Sequence, residues 1–249
     1  MQNWKRFIGV DNLKVNNFHR GRCFPLALMI AFFITLPGCT TFPDFEVKNF
    51  AKTNIDEMSD IHLDQVTQLL ITLTEKLYKK NPNELRKEPG QNIGTRIETI
   101  FKCPVDTLLH GEVDYKMGTD AILLGFEPAF KGDRVFAVMY GLYTMILKSY
   151  NDKCEMFFWD NLNQQNLYNS ARNIEILVWR LKERRQPDGK LYLLTNSVDG
   201  QVKNLSFERI FGKLISLQDT MALIVSGKTS RVVKKTVHFV GLAFLPVGL

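Results

Sequence analysis

Residues 133–150 read DRVFAVMYGLYTMILKSY. Val135, Phe136, Val138, Met139, Leu142, Tyr143, Ile146 and Leu147 recur at helical spacing and cover almost the whole circumference of a helical wheel. A helix that is apolar all round is buried in a protein core or in a bilayer. Val135–Leu147 is too short to span a membrane, which takes about 20 apolar residues. The segment therefore predicts the central helix of a bundle, and it requires amphipathic helices around it.

The flanking sequence supplies them. Leu63–Lys80 carries Val66, Leu69, Leu70, Leu73 and Leu77 on one stripe, and Lys79, Lys80 and Pro82 mark its end. Asn83–Lys87 predicts a further turn, broken by Pro89-Gly90. Ile93–Phe101 predicts a short helix with Ile93, Ile97, Ile100 and Phe101 on one face, and Thr119–Phe126 another. Asn163–Arg185 has a core stripe of Leu167, Ala171, Ile174, Val178 and Leu181. Leu205–Val225 turns Phe207, Ile210, Phe211, Leu214, Leu217, Met221 and Ile224 inward. Cys103–Tyr115 reads as a loop and Pro187-Asp188-Gly189 as a turn. Leu191–Thr195 fits a strand or an extended loop, and the β-branched Arg231–Leu245 fits strand or helix. The expected fold is mainly α: an irregular multi-helix bundle of roughly six to eight helices with little or no sheet.

Upstream of the bundle the chain changes character. Phe24–Leu36 is a run of 13 residues without a charge, preceded by Arg20 and Arg22. Leu36-Pro37-Gly38-Cys39 follows it directly. A basic end, an apolar core of about 7–15 residues and a small residue at the cut define an export signal. Leu36, Gly38 and Cys39 resemble the lipobox of bacterial lipoprotein signal peptides, with Pro37 standing where Ala, Ser or Thr is usual. The resemblance implies that residues 1–38 are removed and that Cys39 is acylated. An ordinary secretory signal or a short anchor is the alternative. Met1–Val15 adds nothing to export, so initiation near Val10, Leu13 or Val15 is expected. Residues 39–56, polar with Pro43, read as a tether, and 57–249 as a single helical globular domain.

The leader alters the bulk numbers. The chain carries +6, and Lys5, Arg6, Lys14, Arg20 and Arg22 against Asp11 place +4 of that in residues 1–38. About +2 remains over the other 211 residues, which removes the electrostatic ground for a nucleic-acid partner. Two cysteines are left beyond Cys39, in an oxidising compartment. A disulfide between Cys103 and Cys154, 51 positions apart, is the natural expectation; two unpaired buried thiols are the alternative.

Motifs of catalysis are scarce. Gly227-Lys228-Thr229 has the end of a phosphate loop, but the required earlier glycine is Ala222 inside a predicted helix. Gly-x-Ser-x-Gly is missing, and no Cys or His pair has zinc spacing. His110, Glu112, Asp114 and Asp120 form the densest group of potential ligands. In an extended segment the first three would project to one side and could serve a hard cation or acid–base chemistry. Arg172, Asn173 and Glu175 form a polar set on a half-buried helix, able to line a pocket or to fix helix registry. No catalytic residue, cofactor or metal is assigned, and the balance favours a non-enzymatic binding, scaffold or assembly role. An envelope enzyme or small-ligand binder using His110–Asp120 or Arg172 and Glu175 is the alternative.

Gly132-Asp133-Arg134-Val135-Phe136, Tyr168–Leu181 and Asn204-Leu205-Ser206-Phe207-Glu208 together resemble a family of proteobacterial lipoproteins without an assigned function. The resemblance implies a lipid-anchored domain in the periplasm, and it brings no catalytic residues. Thr40 and Thr41 after Cys39, in place of Asp, resemble the sorting pattern of outer-membrane lipoproteins. The outer face of the inner membrane is the alternative. The expected partners are the membrane, through the lipid, and an envelope protein.

Overall fold

The computed structural model describes residues 54–105, 110–157, 160–195, 205–229, 233 and 243–248, all within the unit Glu46–Leu249. The leader, Cys39 and the first part of the tether lie outside the described residues. Seven α-helices follow in order among them: α1 (Asn54–Lys80), α2 (Pro82–Leu85), α3 (Ile93–Ile100), α4 (Gly118–Leu124), α5 (Arg134–Ser149), α6 (Gln164–Glu183) and α7 (Ser206–Thr229). A 3-10 turn at Gly111–Val113 lies between α3 and α4. The described residues contain no sheet, and their one β-bridge joins Arg185 to Leu191. The fold is the mainly helical bundle that the hydrophobic periodicity predicts.

α5 is the hub. Every residue from Arg134 to Ser149 is buried except Lys148. Asp133 caps it, its side chain accepting from the Phe136 N–H at 2.9 Å, which satisfies one of the free donors at the helix start. α4 lies along α5 at very close range. A Cβ at Gly141 would stand 2.6 Å from the Gly118 carbonyl and 2.7 Å from the Ile122 nitrogen, so glycine is what lets the two backbones meet. Thr144 then joins them: its hydroxyl accepts from the Gly118 N–H at 2.8 Å and donates to the Tyr140 carbonyl at 2.8 Å. α6 packs along α7, and α1 packs on α7 and α5. Cys103 and Cys154 stand at disulfide distance, with Cα atoms 5.8 Å apart, and tie the segment before α4 to the segment after α5.

The structure departs from the sequence expectations at several places. α1 begins at Asn54 rather than Leu63. Its added turns bury Asp56 and Ser59 and leave Met58 and Ile61 exposed, so no apolar stripe marks them. α7 runs past Val225 to Thr229, which puts Gly227-Lys228-Thr229 in a helix. Leu191–Thr195 forms no strand, and most of Arg231–Leu245 lies outside the described residues. The segment around His110 is not extended. It folds into the 3-10 turn, with Asp114 and Tyr115 at φ of +52° and +57°, so the alternation that would align His110, Glu112 and Asp114 is lost.

Candidate functional site

The charged constellation in the core centres on Arg96, a buried residue of α3. Its guanidinium grips Glu112 with two bonds, Nη1 to Oε1 at 3.0 Å and Nη2 to Oε2 at 2.7 Å. It also donates to Asp133 Oδ2, from Nη2 at 3.0 Å and from Nε at 3.2 Å. Tyr78 donates to the same oxygen at 2.8 Å. The ring of Phe136 lies 4.1 Å from the guanidinium carbon, a cation–π contact. Arg96 is 3% exposed and the Asp133 side chain fully buried. Burial, with the charge of Asp133 beside it, pushes the Tyr78 phenol far above its ordinary range. Burial pulls the Arg96 guanidinium down, but its bonds to Glu112 and the charge of Asp133 more than offset this and hold it above its ordinary value. The donors and acceptors are matched to each other, so this set fastens α1, α3 and α5 together.

The residues singled out in the sequence do not converge. His110 is buried against aromatic rings, with centroids 4.6 Å from Tyr140 and 5.6 Å from Phe136. Glu112 turns to Arg96. Asp114 and Asp120 are exposed. Among the described residues no group of three or more His, Cys, Asp or Glu is placed to hold a metal ion. Arg172 bridges α6 and α7 on the surface, at 3.0 Å from Glu175 and 2.6 Å from Asp219, over the Tyr168 ring at 5.0 Å. Asn173, its neighbour, is fully buried and faces elsewhere.

Asn173 holds the last described segment of the chain. Its carboxamide donates to the Leu245 carbonyl at 2.9 Å and accepts from the Leu245 N–H at 2.7 Å, a two-point pairing like that between β-strands. One turn earlier, Asn169 donates to the Pro246 carbonyl at 2.8 Å and accepts from Gln165 at 2.9 Å. Two turns later, the Arg180 guanidinium sits 5.0 Å from the centre of the Phe244 ring. The segment 243–248 is thus strapped antiparallel along α6.

Between this strap and the end of α5 opens a cleft of about 690 Å³, within the usual range of ligand pockets. Leu245, Pro246 and Val247 form one wall. Thr144, Met145, Leu147 and Lys148 of α5 form the floor. Pro104, Val105, Met117, Gly118 and Thr119 line it as well. Its charges are Lys148 and Asp152, paired at 2.8 Å and each 47% exposed. Among the described lining residues no nucleophile stands beside a base, and they present a mainly apolar surface with a charged pair at Lys148 and Asp152. Sequence reasoning passed over it because its walls come from four separated segments. The same reasoning passed over Arg96, whose placement among Ile93, Ile97 and Ile100 was the one available signal. No known protein family, curated protein or solved structure matches the chain.

Proposed function

We propose that this chain is a membrane-anchored bacterial lipoprotein whose helical domain is a binding module of the cell envelope. In this reading residues 1–38 are the export signal, Cys39 carries the lipid, and the domain faces the periplasm from the outer membrane. The observation that carries the binding role is the cleft beneath the strap. It is a mainly apolar cleft open to solvent, lined by the end of α5, the start of α4, Pro104-Val105 and the strap, with a volume in the range of ligand pockets. The sequence supports the anchor through the basic residues, the apolar run and Leu36, Gly38 and Cys39. Two or three acyl chains would give firm membrane residence, where one gives marginal binding.

Two measurements test the two halves. Cys39→Ser should move the protein from the membrane fraction to the soluble one; unchanged fractionation overturns the anchor. A photo-reactive side chain at Thr119, on the rim of the cleft, should form an adduct in cells that Val247→Trp abolishes. An adduct unaffected by blocking the cleft, or none at all, overturns the binding role.

A further inference from the structure

The cleft that carries the binding role also restricts what can fill it, and the inference below rests on that reading. The chain holds 18 Phe, 7 Tyr and 3 Trp, yet the described residues lining the cleft include no aromatic ring. Sugars and nucleobases are held by stacking faces together with several convergent polar groups. Among the described residues the walls are mainly aliphatic: Val105, Leu147, Leu245, Pro246 and Val247, with the unbranched side chains of Met117 and Met145 among them. Methionine adapts to a flexible guest because its side chain turns freely and is polarizable. The Thr144 hydroxyl is already engaged, bonded to Gly118 and Tyr140. A guest deep in the cleft therefore meets hydrocarbon.

The mouth has a different character. Lys148 lies on the last turn of α5, and its stem packs so closely on Gly248 that a Cβ there would overlap it. That packing leaves the ammonium at the rim, where Asp152 is its partner. An exposed i,i+4 pair is weak and screened by salt, so an entering anion can take the ammonium from it. We infer that the cleft binds a single-chain aliphatic amphiphile, with the chain along Met117, Met145 and the strap and an anionic head on Lys148.

The test uses the full chain carrying Cys39→Ser, so that no acyl group of its own competes. Binding is measured by calorimetry for hexanoate, octanoate, decanoate and dodecanoate below their micelle concentrations. Affinity should rise roughly four-fold for each added methylene, as burial of hydrocarbon requires. Lys148→Ala should weaken dodecanoate and leave dodecanol unchanged. Val247→Trp, which fills the cleft from the strap, should abolish binding. Dodecanoate and a lysophosphatidylglycerol of the same chain length separate a carboxylate from a phosphodiester head; binding of either supports the inference, and binding of neither overturns it. Affinity independent of chain length, or equal binding of naphthoate, also overturns it. If the Thr119 adduct forms in cells while no amphiphile binds, the ligand class falls and the binding role stands. If both are missing, both fall.

Discussion

Removing Arg96 should be among the most damaging single changes available in this fold. Arg96→Met keeps the stem, its packing and the helix propensity of α3, and deletes the guanidinium. Asp133 then keeps Tyr78 and the Phe136 N–H but loses its cation, while its side chain has no access to water. Glu112 loses both of its bonds to Arg96. Stranding one member of a buried ion pair costs about 3–5 kcal/mol. Domains of this size are stable by roughly 5–15 kcal/mol in total, and each kcal/mol shifts the melting temperature by about 2–4 °C. The expected drop is therefore roughly 6–20 °C, read by circular dichroism at neutral pH. Urea unfolding should show a lower midpoint at constant slope. Arg96→Lys should recover little, because an ammonium cannot reach Glu112 and Asp133 with the same fork. Adding Asp133→Asn to Arg96→Met should restore about half of the loss, since it removes the stranded charge and keeps an oxygen for the cap. A loss below about 1 kcal/mol for Arg96→Met would refute the reasoning, because that is the value of an exposed pair. So would a double variant no better than the single one.

Gly141→Ala should destabilise by about 1–3 kcal/mol in urea unfolding, because its Cβ meets the backbone of α4, whereas Gly212→Ala, in open space on α7, should stabilise by roughly 0.5–1 kcal/mol. Reducing Cys103–Cys154, or replacing both with Ser, should cost about 4 kcal/mol by loop closure over a sequence separation of 51; a melting curve indifferent to reductant would show the pair is not bonded. Burial holds the His62 imidazole below its ordinary 6.5, against a backbone hydrogen bond at Leu217 that raises it. The unfolded chain then binds the proton first, so this contribution is complete above pH 6.5 and is lost as pH falls below it. His62→Gln should flatten that acid limb, and an unchanged slope would place the titration elsewhere.

The parts of the fold legible in the sequence were those governed by apolar periodicity. α5 declared itself because its circumference is apolar, and α6 and α7 because their stripes run for several turns. The start of α1 was hidden because the helix there buries Asp56 and Ser59, which carry no hydrophobic signal. Arg96 was hidden for a related reason: an arginine is read as surface unless its partners are known, and Tyr78, Glu112 and Asp133 lie 18, 16 and 37 positions away. His110, Glu112, Asp114 and Asp120 were close in sequence, yet a 3-10 turn with two left-handed residues scatters them. Arg172 and Glu175 did pair at i,i+3 as their spacing implies. Asn173, beside them in sequence, serves the strap instead, since adjacent helical residues project about a quarter-turn apart.

The two ends of α5 bear on function in opposite ways. At Asp133 the helix start is closed: its cap, Arg96 and Tyr78 are satisfied within the core, so that end can hold elements in place but offers nothing to a ligand. At Thr144–Lys148 the same helix borders the cleft, whose lining includes the strap, which three side chains of α6 hold in place. The strap's attachment is mostly polar and its inner face apolar. Its anchoring to α6 and its contact with the cleft are therefore separable. Asn173→Ala removes the two-point pairing while leaving Leu245, Pro246 and Val247 unchanged in chemistry. If the strap is a wall of a binding cleft, Asn173→Ala should weaken dodecanoate and dodecanol alike, whereas Lys148→Ala weakens dodecanoate alone. It should also raise the exposure of the strap to protease. If the strap is only a clasp on α6, proteolysis should rise and binding should not change.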